Sequence, residues 1–205
     1  MTRLNNIFFS ADWHIDHANV LEYSNRPFKN VKHMNEVLEN NYQSSVGEND
    51  TCYFLGDMGM GNGDSLKAII NRLKGTKILI LGNHDKGMAS MLAMGFDAVM
   101  YSSSLVVAKQ RVTMSHCPLV GIKREDTTGM RGSQLGENWH GEFRHGSKFS
   151  LPDFGQFHLH GHIHSPNGGR SVRVLDKQYD VGVDANNYRP VNISCIESWI
   201  ARYGR

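Results

Sequence analysis

Three apolar runs, Ile7-Phe8-Phe9, Thr51-Cys52-Tyr53-Phe54-Leu55 and Lys77-Ile78-Leu79-Ile80-Leu81, are spaced so that an amphipathic helix fits between each and the next. They are β-prone and far too short to cross a membrane, so they read as buried strands. Between the first two, Met34, Val37, Leu38 and Tyr42 recur at helical spacing from Val31 to Val46, and the Gly47-Glu48-Asn49-Asp50 cluster turns the chain. Between the second and third, Asp64 and Ser65 open a helix with the apolar face Leu66, Ile69, Ile70 and Leu73, closed by Gly75. Strand, helix, strand, helix, strand is the pattern of parallel strands joined by helical crossovers. The chain is therefore of α/β class, and in such sheets ligands bind where the carboxyl ends of the strands release their loops together.

Beyond Leu81 the pattern changes. Ala98 to Tyr101, Leu105 to Ala108 and Val112 to Met114 are short and closely spaced, as in antiparallel hairpins or a meander. Residues 119 to 156 mix Gly, Ser, charged residues and aromatics without a period and read as an irregular loop insertion, with Trp139, His140, Arg144 and His145 as lid candidates. Phe157-His158-Leu159-His160 alternates like a strand, Tyr179 to Asp184 and Val191 to Ile196 read as two closing strands, and Ser198 to Tyr203 as a short terminal helix. No boundary is marked, and 205 residues with 40% hydrophobic and 20% charged suit one domain spanning 1–205.

A net charge of +2, from 22 basic and 20 acidic residues, favours neither a long polyanion nor an anionic membrane. Cys52, Cys117 and Cys195 are few, odd in number and far apart, which suits reduced thiols in a cytoplasm rather than a disulfide framework or a CxxC zinc site. The first residues hold too short an apolar run for a signal peptide. The unusual count is eleven histidines, several beside Asp or Gly at the ends of apolar runs.

Five apolar strands end, in order, in Asp12-x-His14, Gly56-Asp57, Gly82-Asn83-His84-Asp85, His116 and Gly161-His162-x-His164. Singly, each residue has an ordinary explanation as a turn former, a cap or a satisfied imidazole. Asp12 and His14, two apart, project to one side of an extended backbone and can hold the same ion. Metal-capable groups at so many strand ends point to one shared site.

These five blocks resemble the calcineurin-like metallophosphoesterase superfamily, and the resemblance covers most of the chain outside residues 119 to 156. It implies a four-layer α/β/β/α sandwich, two mixed β-sheets face to face and flanked by helices. It also implies that Asp12, His14 and His164 hold one ion, and that Asp57 bridges to a second, completed by Asn83, His116 and His162. His84 is left to face the substrate, stabilising the transition state or protonating the leaving oxygen, with Asp85 orienting its other nitrogen. Asn19 to Phe28 and Asp180-Val181-Gly182-Val183-Asp184 look like a small bacterial and phage branch of that superfamily, which has a glycine where Asp16 stands.

The chemistry accounts for the residue types. A bridging carboxylate can hold two divalent ions about 3.5–4 Å apart, and a water between them becomes a hydroxide at neutral pH. Mixed nitrogen and oxygen ligands suit Mn first, then Fe, Zn, Co or Ni, over an all-oxygen Mg or Ca site. Arg26, followed by Pro27, could offer a guanidinium fork to phosphate, and His17 lies close enough to the first metal loop to touch a substrate. The expected activity is phosphoester hydrolysis, with diesters favoured over monoesters, on a small phosphorylated substrate such as a nucleotide. The near-neutral charge and the lack of a basic stripe argue against long nucleic acid, leaving short oligonucleotides as one alternative. A second alternative is a metal-binding scaffold of the same fold. A metallo-β-lactamase-like reading of Asp12-x-His14-x-Asp16-His17 fails, because that fold places several strands before its block and only eleven residues precede this one.

Overall fold

The computed structural model describes residues 6–60, 63–121, 148–165 and 177–203. Three strands, β1 (Ile7–Ser10), β2 (Thr51–Phe54) and β3 (Thr76–Ile80), lie side by side and parallel, with Phe8 opposite Cys52 and Phe54 opposite Leu79. The crossovers between them carry the short α1 (Val20–Tyr23), the long α2 (Val31–Ser45) and α3 (Asp64–Arg72).

The next strand departs from expectation. β4 (Ala98–Met100) is the parallel edge of this same sheet, not the first rung of a meander. It is reached through α4 (Met88–Met94), a further helical crossover that buries Met91 and Met94 and stops at Gly95, whose φ of 112° is left-handed. The hairpin expected next does form, from β5 (Ser103–Val107) and β6 (Gln110–Met114). Its two turn residues, Ala108 and Lys109, both have positive φ (49° and 64°), the twist that matches flanking strands.

After β6 come a two-residue parallel pair, β7 (Val120–Gly121) with β8 (Pro152–Asp153), then β9 (Phe157–His160) and β10 (Gln178–Asp180). The second sheet has the order β10-β9-β6-β5, parallel except for its hairpin. The chain beyond β10 is not one strand to Asp184: a 3-10 turn runs from Asp184 to Asn186. Val191 to Ile196 is likewise shorter in strand than expected. Only β11 (Val191–Asn192) pairs, antiparallel to β1, completing the first sheet in the order β11-β1-β2-β3-β4. The Asn192 side chain then accepts the Ser194 N–H at 2.9 Å, and the chain becomes α5 (Ile193–Tyr203).

Two mixed sheets therefore stack in an α/β sandwich. Alternation along each strand divides the core, as a period of two requires. Phe8, Cys52, Phe54 and Leu79 point outward against Met34, Leu38 and Tyr42 of α2 and Leu66, Ile69 and Ile70 of α3. Phe9, Leu55 and Ile80 point inward to Val112, Met114, Phe157 and Leu159 of the second sheet, joined by Ile196 and Ile200 of α5. Among the described residues no helix is long and apolar enough to cross a membrane.

Candidate metal centre

The two sheets meet at one edge. Beyond β1 the chain runs alongside the segment that follows β2, with the N–H groups of Asp12 and His14 donating to the carbonyls of Gly56 and Asp57, both at 3.0 Å. On its other side Val183 N–H donates to Ala11 O at 3.0 Å, and in the second sheet Gly161 N–H donates to His116 O at 2.9 Å. All five polar blocks are thereby drawn together. Trp13 is driven into the helix-side core, where its ring meets Tyr42 and Phe54 edge-on and its indole N–H donates to Ser10 Oγ at 2.8 Å. Asp12 and His14 share a side, but not through extended backbone. Both are left-handed, with φ of 60° and 52°.

That conformation recurs. Asp57 (55°), His162 (71°) and His164 (47°) are also left-handed, so five of the seven expected ligands occupy a region that non-glycine residues seldom enter. Asp16, where the resemblance led to the expectation of a glycine, has φ of 62°. Each loop is also shut by a glycine from another. A Cβ on Gly82 would collide with the Asp57 carboxylate, one on Gly56 with the His116 ring, and one on Gly161 or Gly182 with the Asp12 carboxylate.

The donors form a continuous cluster. Asp12, His14 and His164 bring one ligand atom each within 4.8 Å of one another, and so do Asp12, Asp57 and His116. Asp57 Oδ2 stands between the groups, 3.8 Å from His14 Nε2 and 3.3 Å from His116 Nε2. Asn83 Oδ1 is 3.0 Å from His116 Nε2, and His162, whose N–H donates to Asp12 Oδ2 at 2.9 Å, lays its ring edge-on to His116 with centroids 5.0 Å apart. Cys117, read from sequence as an ordinary reduced thiol, belongs to a third such group with His116 and His162.

These groups could hold metal ions, and the donor chemistry fits. His116 Nδ1–H donates to Leu55 O and His164 Nδ1–H to Asp184 Oδ2, both at 2.7 Å, which aims both Nε2 atoms into the cluster. The Nε2 atoms of His14 and His164 face each other at 3.2 Å. Two nitrogens bound to one ion at about 2.0–2.1 Å lie about 2.9–3.4 Å apart. Burial pushes His14 far down despite the nearby Asp57 carboxylate, and pushes His162 down to about 3, so both imidazoles are neutral donors. At His116 burial opposes the charge, but the Asp57 carboxylate outweighs it and raises the group to about 10. Burial drives Asp12 up to about 7, whereas at Asp57 the same effect is overcome by His116 and His14, which hold it well below the carboxylate range. Two buried carboxylates ringed by imidazoles are an environment that a cation completes.

Around this cluster the sequence-predicted roles divide. His84 lies at the surface with its side chain 40% exposed, Nε2 4.0 Å from Asp57 Oδ2 and its own N–H donating to Asp57 Oδ1 at 2.9 Å. Asp85 does not orient it. Its carboxylate instead accepts the N–H groups of Gly82 (2.8 Å), Met58 (2.9 Å) and Asp57 (3.0 Å), stapling two ligand loops together. Arg26 does not offer a fork to substrate either, because its guanidinium is buried and all five of its N–H donors are engaged. They meet both oxygens of Asp184, the carbonyls of Asp12 and Trp13, and Met34 Sδ. His17 is half-buried, its Nδ1 3.5 Å from His14 Nδ1 and 3.4 Å from Tyr23 Oη. Two residues were missed: Tyr23, 57% exposed beside His164, and Asp184. The signal for Asp184 was present, because it ends the Asp180–Asp184 block. Trp139, His140, Arg144 and His145 lie outside the described residues.

No family model matches the chain. It is 42% identical over 82 residues to protein MJ1445 of Methanocaldococcus jannaschii, a match spanning 39% of this chain and about half (47%) of that protein. The gene 66 protein of Mycobacterium phage L5 is 29% identical, over 89% of this chain and 88% of its own length. Among solved structures, that of AQ665 from Aquifex aeolicus, a protein of unknown function, shares the fold with a TM-score of 0.66 at 24% identity, over 95% of this chain and 99% of that one. A predicted phosphoesterase from Streptococcus pneumoniae superposes with a TM-score of only 0.33 at 13% identity, over 88% and 72% of the two chains, a likeness too slight to bear on function. The gene 66 protein of Mycobacterium phage D29 is 30% identical over 89% of either chain, and this chain belongs to the family of those mycobacteriophage gene 66 proteins.

Proposed function

We propose that this protein is a binuclear metallophosphoesterase that hydrolyses a small phosphate ester, in keeping with the resemblance of its five blocks to the calcineurin-like superfamily. The observation that carries the reading is the position of Asp57 Oδ2, shared between the imidazoles of His14 (3.8 Å) and His116 (3.3 Å). Asp12, His14 and His164 would hold one ion, and His116, His162 and Asn83 the other, with Asp57 common to both. Mn is the first choice of metal, with Fe, Zn, Co or Ni as alternatives for such a nitrogen and oxygen set. Bound there, the ions would acidify the attacking water and offset the charge growing on the phosphoryl group.

The chain's own contribution is arrangement. Imidazoles, which bind an ion in their neutral form, and a single amide would limit the ligand charge to two carboxylates, so an anionic substrate is not repelled. His84, 4.0 Å from Asp57 Oδ2, is left without an ion in this scheme, and its exposed imidazole can pass a proton to a departing alkoxide. Such help matters most for a poor leaving group, which favours diesters. His17 and Tyr23 line the same mouth and are where the rest of a substrate would rest.

The test is hydrolysis of bis-p-nitrophenyl phosphate and p-nitrophenyl phosphate by purified protein reconstituted with each of these metals, beside His84→Ala. The variant is expected to retain its metal content and to lose 10²–10⁴-fold in kcat, the usual worth of a positioned acid. Full turnover in the metal-replete variant would remove His84 from the chemistry. Metal binding without hydrolysis of either ester by the parent protein would favour the scaffold instead.

A further inference from the structure

Arg26 and Asp184 are 158 residues apart in sequence, and neither is a ligand in the scheme above. Their contacts converge on half of it. The guanidinium meets the carboxylate in a bidentate fork, Nε to Oδ1 at 2.8 Å and Nη2 to Oδ2 at 2.7 Å, with the pair shut away from solvent. The same Nη2 donates to Asp12 O at 2.6 Å and Nη1 to Trp13 O at 3.1 Å, pinning the left-handed turn that aims Asp12 and His14. On the far side, Asp184 Oδ2 accepts His164 Nδ1–H at 2.7 Å, and Ser24 Oγ lies 3.2 Å from that nitrogen. One ion pair thus touches the supports of Asp12, His14 and His164, the whole first group.

The second group is supported from elsewhere, its Asp57 and Asn83 loops by the Asp85 carboxylate and its His116 by the main chain. His116 Nδ1–H donates to the main-chain carbonyl of Leu55, which no side-chain substitution removes. From this contrast we propose that Arg26 and Asp184 are positioning residues dedicated to the first ion, so that the two ions depend on different parts of the chain. The inference rests on the two-ion reading of the site but not on its activity. A carboxylate on Nδ1 fixes the tautomer of the imidazole, orients its ring and makes Nε2 a stronger donor. Arg26 fixes that carboxylate by meeting both of its oxygens in a planar fork, which sets the direction in which Oδ2 faces the imidazole. Lysine cannot replace it, since an ammonium lacks the planar fork and has three donors for five acceptors.

The experiment is metal titration of the full chain with Zn(II) and with Mn(II), by calorimetry and by elemental analysis after gel filtration. Asp184→Asn and Arg26→Lys are compared with the parent, with far-UV circular dichroism as the check on folding. The parent is expected to bind two ions, and each variant to lose 10–100-fold in affinity for one while keeping the other. Equal weakening of both ions, unchanged affinity for both, or a parent that binds fewer than two ions would overturn the proposal. A readout on the parent covers variants that fail to fold: in the Zn(II)-loaded protein the His164 imidazole should be protonated at Nδ1 by 15N NMR, and the opposite tautomer defeats it. A parent that binds both ions and cleaves no ester sinks the phosphoesterase reading and leaves this one standing.

Discussion

His158 lies in β9, shortly before the candidate ligands His162 and His164, and meets a demand opposite to theirs. His158 Nδ1 is 2.9 Å from Thr113 Oγ1, while Nε2 is 3.2 Å from Ser115 Oγ and 3.3 Å from Cys117 O, so both nitrogens are used inside the fold. Burial, reinforced by His160, pushes the group down to about 3 from an ordinary value of 6.5. The unfolded chain therefore takes up a proton that the folded chain refuses. The associated stability is present in full above about pH 6.5 and drains away as the pH falls toward 3. Urea unfolding at pH 6.5, 5.5 and 4.5 should show a slope that His158→Gln reduces by up to about 1.4 kcal/mol per pH unit; parallel slopes would refute the assignment. At this scale the candidate ligands stood out together rather than singly, because five strand ends in succession carry metal-capable groups, and the fold brings those ends to one cluster. Arg26 and Asp85 were misread because their partners, Asp184 and the backbone of Gly82, Asp57 and Met58, are brought to them only by folding.

Secondary elements followed the sequence wherever a pattern was long enough to have a period, as in α2 and α3. The seven residues of α4 offer only Met91 and Met94 as a buried stripe, and no side chain caps its start. From Val191 to Ile196 the apolar spacing suits a strand as well as a helix. The helix prevails because Ile196 and Ile200, four apart, both face the inter-sheet core. The weak start of α4 is open to improvement. Gly87 holds an extended N-cap conformation (φ −61°, ψ 160°), and a Cβ there would meet nothing within 4 Å. Gly87→Ser should add a capping oxygen and reduce the freedom of the unfolded chain, together about 0.5–1 kcal/mol. Calorimetry is then expected to show Tm higher by about 1–4 °C, and no rise would mean that the end of α4 is not held as described.

For the molecule as a whole, the decisive feature is that two of the three metal-capable groups, Asp12 with His14 and His164 and Asp12 with Asp57 and His116, span the seam between the sheets. Asp12, His14 and Asp57 follow strands of the first sheet, whereas His116 and His164 follow strands of the second. Ions held there would pin one sheet to the other, whereas Phe8, Phe54, Tyr42 and Ile70 of the helix-side core are held by apolar packing. Chelation should therefore lower Tm by at least about 5 °C, the worth of one ion present at 100 times its Kd, and still leave a cooperative transition in differential scanning calorimetry. An unchanged Tm would mean that the seam needs no ion. The reciprocal glycines have a further meaning, for descent rather than stability. Because Gly82 makes room for Asp57, Gly56 for His116, and Gly161 and Gly182 for Asp12, no loop can drift without its neighbour. A lineage in which these side chains held no metal would be free to replace such glycines as readily as the ligands they shelter, and this chain carries glycine at all four positions.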